Sequence, residues 1–501
     1  MKEYTLIFLV TIFTSAFAQS WQWTSSENYD SYVTRPNAIV NDINGNSYIA
    51  SLSYSTGVHI VKYNSLGTKL WEKVYNGGAV GLTSLCTDSA ANLYAVFWAT
   101  NVEGVTYNPS HGAVLFAKYD ANGNLIWIKQ ITYRLLLSER TNFKGELVGD
   151  GTYTDTLHLE NGYTLTITPG DYKYFMIKYN TDGECIWAQQ DDGGRFQPVI
   201  NSKGDSFAWA DMLLYPVTVG QDSNQVALSP ADGDEYFAKY DSTGALIWVK
   251  QPNASLIAGD NFGNAYIFEA DPAQYGAAFI TKYDPNGSRL WQRTRIYTSD
   301  WYKAQMKCSA GGDLFLAGGF SNSLTIDDTI ITASGTHAFV AKIDSSGVLQ
   351  WVTISGGTGN AGAKDISIGD DGAIYITGDM GGTVCFGPHC TTQASGVFAA
   401  KLLDVPSSAA TSIAGQVNDN ALSVFPNPNG GVFILQYKDV KASSLMLEIR
   451  NSHGQLVFHS SEKCSNGVLM KNIDLSKEPK GIYFLRVSGR GKNSVRKIVL
   501  N

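Results

Sequence analysis

The chain has 501 residues and a formal charge of −8, with 16% of residues charged, 12% aromatic and 50 glycines. Residues 421–501 carry 12 Lys and Arg against 5 Asp and Glu, or +7, which leaves the rest at −15. An acidic body of this kind excludes nucleic acid as its partner, and no later stretch reaches the roughly 18 apolar residues of a membrane span.

Met1 to Ala18 come first. Lys2 precedes the apolar run Leu6 to Phe13, and Ser-Ala-Phe-Ala18 closes the segment. A basic start, a short apolar core and an Ala-x-Ala end describe a secretory signal, with cleavage expected between Ala18 and Gln19. Export follows, with no transmembrane segment in the mature protein.

Residues 19–405 are organised by a repeat. Lys62, Lys118, Lys178, Lys239, Lys282 and Lys342 each have Asp or Asn two residues on, Gly five on and Trp nine on. The glycines are Gly67, Gly123, Gly183, Gly244, Gly287 and Gly347; the tryptophans are Trp71, Trp127, Trp187, Trp248, Trp291 and Trp351. Asp or Asn followed by Gly suits a type I turn with a glycine bulge, and the flanks are β-prone, so each unit predicts a hairpin. A second hairpin precedes it in most copies, turning at Asp42, Asp88, Asp260 or Asp370. Two hairpins make a four-stranded propeller blade, and lysine spacings of 43 to 61 residues leave room for insertions beyond a blade of about 40–45 residues.

A seventh copy, Phe398 to Lys401, stops before its Trp, whereas Ser20-Trp-Gln-Trp-Thr24 is a Trp strand with no hairpin before it. Joined, they form one blade and close the ring. The expectation is an all-β chain: a seven-bladed β-propeller closed by the N-terminal strand, then a small C-terminal β-sandwich. An open array, or a six-bladed ring with a degenerate tail, is the alternative. The repeated aromatics read as packing between blades. The lysine reads as a snorkelling or acid-paired side chain rather than a catalytic base.

The tight turns fall on one face of such a ring and the variable links on the other. Thr152 to Gly170, Pro216 to Gly233, Ser323 to Gly335 and Thr383 to Gly396 look like extra hairpins. Loops on a rigid scaffold are the usual carriers of binding residues. Asp191, Asp192, Arg195, Trp209, Tyr297, Trp301 and Tyr302 are the candidate ligand face, with ordinary loop decoration as the competing reading.

Residues 406–420 lack apolar periodicity and read as a linker. In residues 421–501, short alternating strands separated by Gly and Asn turns predict the sandwich. This module carries Pro426-Asn427-Pro428 with Gly430-Gly431, then Lys480-Gly481-Ile-Tyr483, then Lys497-Ile-Val499-Leu500. In these motifs it closely resembles the type A C-terminal sorting domain of the type IX secretion system of Bacteroidota. The resemblance implies passage through the periplasm and across the outer membrane by that machinery, then release or surface attachment. The repeats resemble secreted bacterial propeller repeats of the SBBP type, which implies fold and leaves function to the site.

No catalytic constellation emerges. The seven histidines are scattered without His-x-x-x-His spacing, so no zinc site is expected. No nucleophile elbow or P-loop is present, and the Asp turns lack the ligand density of an EF-hand. Tyr-Asp-x-x-Gly-x-Leu-x-Trp is similar to the tryptophan-docking repeat of pyrroloquinoline-quinone dehydrogenases, but the adjacent cysteine pair of those enzymes is missing, so no cofactor is expected. Cys385 and Cys390 flank a hairpin turn and are the candidate disulfide; the other cysteines read as buried thiols. The function expected is a non-enzymatic binding or adhesion module for a glycan or protein ligand. A glycosidase or lyase using acidic loop residues and a structural spacer are the alternatives.

Overall fold

The computed structural model describes residues 18–27, 35–53, 55–75, 81–98, 101–106, 114–131, 134–136, 146–159, 162–168, 171, 173–191, 195–201, 203–211, 216–220, 225–229, 235–252, 254–271, 273–274, 276–298, 304–309, 311–369, 371–405, 422–426, 429–438, 444–451, 456–463, 468–478, 480–489 and 492–500. The expected signal segment before Ala18 and the expected linker lie outside them. Every regular element among the described residues is a β-strand. Gln19–Asp404 form one compact unit, and Val405–Asn501 fall in another.

Among the described residues of the larger unit, groups of four antiparallel strands recur seven times, the fifth and sixth groups being joined into one eight-stranded sheet. The first sheet pairs Arg35–Asn41, Ser47–Ser53, Gly57–Tyr63 and Lys69–Tyr75 in that order. The second is Gly81–Thr87, Leu93–Trp98, Val114–Tyr119 and Leu125–Ile131, and the third is Arg134–Leu136, Leu147–Tyr153, Lys173–Tyr179 and Cys185–Asp191. The fourth is Arg195–Ile200, Ser206–Asp211, Tyr236–Tyr240 and Leu246–Lys250, and the fifth is Ala254–Gly259, Ala265–Ala270, Ala277–Tyr283 and Arg289–Thr298. The sixth is Gln305–Cys308, Leu314–Ile326, Thr329–Ile343 and Leu349–Ile354. The seventh takes Asn360–Ile368, Ile374–Phe386 and His389–Val405 from one end of the chain and Ala18–Glu27 from the other.

The repeat spacing follows from the turn. Gly67 N donates to Asn64 O, and Asn64 N donates to Thr68 O, both at 2.9 Å. Gly67 has φ +81°, and the register slips by one residue between Lys62 and Tyr63. That glycine bulge puts Lys62 opposite Trp71, nine residues on, and the same slip puts Lys118 opposite Trp127 and Lys239 opposite Trp248. Gly57–Tyr63 is buried throughout, whereas Lys69–Tyr75 alternates, as an outermost strand should. Consecutive sheets share apolar cores: Tyr48 and Ile60 pack with Leu93 and Leu115, and Phe207 and Trp248 pack with Ile267 and Tyr283. The seventh and first sheets share a core in the same way, through Trp23, Val61, Tyr63, Tyr375 and Val397.

In the C-terminal module, a three-stranded sheet (Leu422–Phe425, Val432–Lys438, Val468–Asp474) and a four-stranded sheet (Leu456–Lys463, Ser444–Asn451, Gly481–Gly489, Lys492–Leu500) bury one common core. Phe433, Leu435 and Ile473 from the first meet Leu447, Leu485 and Ile498 from the second.

Candidate functional site

The repeated lysine reaches from its own sheet to the outer turn of the next. Lys62 Nζ donates to Ala121 O (2.7 Å), Lys118 to Thr181 O (3.2 Å), Lys178 to Ser242 O (3.2 Å) and Lys239 to Pro285 O (3.4 Å). Lys282 donates to Ser345 O (3.3 Å), Lys342 to Asp404 Oδ2 (2.6 Å) and Lys401 to Ser65 O (3.5 Å). The last of these returns to the first sheet. The tryptophan beside each lysine lies on the same turn. Trp187 and Trp248 donate from Nε1 to Ser242 O and Pro285 O at 3.2 and 2.9 Å, and Trp23 donates to Ser65 O at 3.2 Å. A Cβ on the turn glycine would come within 2.9 Å of Trp187 at Gly244, 2.8 Å of Trp248 at Gly287 and 2.7 Å of Trp23 at Gly67. Glycine is needed there both for its positive φ and for the indole above it.

A buried ammonium needs an acid. Lys62 has Asp42 at 3.4 Å, Lys178 has Glu146 at 2.9 Å, Lys239 has Asp205 at 3.4 Å and Lys342 has Asp313 at 3.0 Å. Burial alone would lower the Lys342 ammonium, but Asp404 and Asp313 outweigh it and hold it above its ordinary value. The carboxylate oxygens of Asp42 are occupied locally: Oδ1 accepts the N–H groups of Asn44 and Asn46, and Oδ2 accepts Asn46 Nδ2 and the Tyr48 hydroxyl. Burial, reinforced by that acid, pushes the Tyr48 hydroxyl far above the usual phenol range. Among the described residues, no three His, Cys, Asp or Glu side chains gather as a metal would require. These residues build seams.

Sequence reasoning overlooked a third tie. The residue two after the Trp also reaches the next turn: Lys129 Nζ donates to Gly183 O at 2.8 Å and Gln189 Nε2 donates to Gly244 O. Long polar side chains at that spacing (Lys73, Lys129, Gln189, Lys250, Arg293) were the available signal.

The extra hairpins fold back on the frame. Leu157–His158 pairs with Thr164–Leu165, and Leu157, Leu159 and Leu165 are buried with Phe175 and Ala188. Val217–Val219 pairs with Val226–Leu228, and Val217, Val219 and Leu228 pack with Trp187. Leu324 to Ile326 pair with Ile296 to Thr298 of the preceding sheet, where Arg295 N donates to Asp327 Oδ1 at 2.8 Å. Gly356–Gly357 pairs with Val384 and Cys385. A fifth hairpin, Asn101–Val102 with Val105–Thr106, is anchored by Glu103 on Lys73 at 2.6 Å.

The candidate ligand residues do not assemble among the described residues. Trp209 is 9% exposed and belongs to the core shared by the fourth and fifth sheets, so it presents no stacking surface. Tyr297 is 37% exposed on the outer strand of the fifth sheet. Asp191 ends one strand and Arg195 begins another, with side chains outside the description; Asp192, Trp301 and Tyr302 lie outside it entirely. Ala18 opens the strand that completes the seventh sheet, and Gln19 follows it half-buried. Cys385 and Cys390 face each other across their hairpin with the sulfurs 2.06 Å apart. A cavity of about 10 Å³ between the seventh and first sheets, lined by Glu27, Ser51, Tyr63 and Val397, is water-sized.

In the C-terminal module, Pro426 is exposed, Gly430 has open space around it, and Asn427 and Pro428 lie outside the description. Gly481 opens a strand, Tyr483 is buried, Lys497 pairs with Phe484 through the backbone, and half-buried Val499 pairs with Ile482. Burial, aided by Glu478, pushes the Tyr483 hydroxyl upward. Asn429, not singled out from the sequence, joins the two motif ends: its N–H donates to Val499 O at 2.9 Å, and its Oδ1 accepts Gly431 N–H at 2.8 Å. A Cβ at Gly431 would come within 2.5 Å of Ser476 Cα.

Fold and motifs together define an exported all-β repeat protein with a terminal sorting module. Residues 423–501 match the secretion system C-terminal sorting domain, and the protein is accordingly secreted or displayed at the cell surface. No curated protein matches the chain. Among solved structures, it is similar to a DUF4221 family member from Bacteroides vulgatus (10% identity, TM-score 0.33, covering 78% of this chain and 100% of that one). It is also similar to a protein of unknown function from Dyadobacter fermentans (10%, 0.37, 77% and 98%) and to a eukaryotic initiation factor (9%, 0.36, 74% and 91%). Likeness at this level decides neither fold nor function.

Proposed function

We propose that residues 19–405 form a seven-bladed β-propeller of the SBBP type, closed by its own N-terminal strand, and that it serves outside the cell as a binding or adhesion module. The observation behind the closed ring is the return of the lysine and tryptophan ties to Ser65, where Lys401 and Trp23 do what Lys178 and Trp187 do at Ser242. A frame tied at every seam can hold variable loops in fixed relation, which suits recognition of a glycan or protein. Delivery rests on type IX machinery reading the sorting domain, after removal of the signal peptide between Ala18 and Gln19.

One observation favours a spacer as the second reading: the extra hairpins spend their apolar and charged groups on the adjacent frame. The test is the purified chain without its signal segment against a panel of glycans and polysaccharides, scoring retention and product release together. Retention without release is the expected result. Release would overturn the binding reading in favour of a carbohydrate-active enzyme, and silence on both would leave a protein ligand or the spacer.

A further inference from the structure

In six sheets the outermost strand follows its neighbour across a short turn, so recognition of the strand is local. The seventh differs. Its outermost strand, Ala18–Glu27, is recognised entirely by distant residues. Thr24 Oγ1 donates to Ala399 O at 3.1 Å, Trp23 Nε1 donates to Ser65 O at 3.2 Å, and Ser26 Oγ meets Thr391 Oγ1. The Trp21 ring lies 4.8 Å from Phe386, and Tyr63 donates its hydroxyl to Glu27. The strand is attached to the rest of the chain only through residues 28–34 (Asn-Tyr-Asp-Ser-Tyr-Val-Thr).

We infer that the slot between His389–Val405 and the outer turn at Ser65 is a strand-binding site, and that its second occupant is the N-terminal strand of another copy of this chain. The slot cannot distinguish the two sources, because the contacts that recognise the strand come from residues far from it in sequence, and a second copy offers the same strand. Only the tether favours the chain's own strand, by holding it at an effective concentration of order millimolar. Reciprocal exchange replaces each contact with its equal and yields a closed two-fold dimer, a low-cost route to association. Leucine or valine could not substitute in the donor strand, since the indole of Trp23 fills the space above Gly67 and supplies the N–H for Ser65 O.

The facing pair Ser26 and Thr391 provides a reporter. The full chain without its signal segment, carrying Ser26→Cys and Thr391→Cys, is unfolded, refolded across a range of protein concentrations, oxidised and run on a non-reducing gel. Expected are intrachain crosslinks in dilute samples and an interchain dimer that rises roughly tenfold or more with concentration. Removing residues 29–32 should make the interchain form dominant, because a shortened hinge can no longer favour the chain's own strand. Intrachain crosslinks alone under every condition, or no crosslink of either kind, would overturn the inference. Should the cysteine pair impair folding, unlabelled and heavy-isotope wild-type chains refolded together give the same information by native mass spectrometry. Mixed dimers support exchange, and monomers alone refute it.

Discussion

Six of the sheets solve one electrostatic problem in two ways, and the seventh, with Asp371 near Lys401 at 3.9 Å on a turn that begins at Gly369, follows neither. In the first, second and fifth, the inner turn begins with Asp, has Asn four residues on and Tyr two beyond that: Asp42, Asn46, Tyr48; Asp88, Asn92, Tyr94; Asp260, Asn264, Tyr266. The Asp carboxylate accepts from the turn, the Asn amide and the Tyr hydroxyl, and the lysine lies over the Tyr ring at 4.7 to 5.0 Å. In the fourth and sixth the charge moves four residues along, to Asp205 and Asp313, the turn begins with Asn201 or Ser309, and the ring is Phe207 or Phe315. The third follows the second pattern with Glu146 and Val148. In these sheets Trp187 and Trp248 donate to the next turn, whereas the buried indole N–H groups of Trp71 and Trp127 have no acceptor. An acid on the inner turn is common to both patterns, and Lys342 adds a second in Asp404. The inner acid's place in the turn is negotiable, and the aromatic partner changes with it.

The largest expected effect comes from removing what both patterns share. Trp187→Ala empties a seam beside Gly244 and should cost about 3–5 kcal/mol, read as a lower urea midpoint. An unchanged midpoint would mean that the indole is not holding the seam. Next, Asp205→Asn leaves Lys239 buried without an acid, and about 3 kcal/mol should be lost. The double change Asn201→Asp with Asp205→Asn places the charge as in the first sheet and should recover more than half of that. Failure to recover would show that the acid's position is fixed after all. Smaller still, Tyr94→Phe removes hydroxyl bonds to Asp88 and Thr181 O and should cost about 1 kcal/mol, with no counterpart in sheets that carry Phe or Val there.

The subtlest test is alkaline. Lys342 is held above its ordinary value of 10.5, so its contribution is complete below that pH and disappears as pH climbs through the raised value. The melting temperature should therefore fall above pH 10.5 more steeply in the wild type than in Lys342→Met. Parallel curves would remove this lysine from the account.

Much of the frame was legible because a glycine bulge fixes the Lys-to-Trp interval at nine and a turn fixes the glycine. The inner turns were harder. A reading by the leading Asp finds those at 42, 88 and 260, misses those at 201 and 309, whose charge sits at the far end, and assigns to Asp370 a turn that begins at Gly369. Trp209 reads as part of the ligand face, yet Phe207, two positions away on the same strand, shares its side of the sheet and both are buried. The role of Asn429 depends on a contact with Val499, seventy residues away, which no local pattern encodes. Side chains on variable loops follow no repeat, so no interval in the sequence marks a ligand face.

The lysine that reaches back to Ser65 has a mechanical corollary. Linear repeat arrays are weakest at their ends, where a terminal unit is held on one side only and frays first. In the closed ring proposed above, each of the seven sheets is held on both sides, so there is no first unit to fray. A protease or a pulling force would have to open two seams before any sheet could leave, a useful property for a protein beyond the reach of the cell's chaperones.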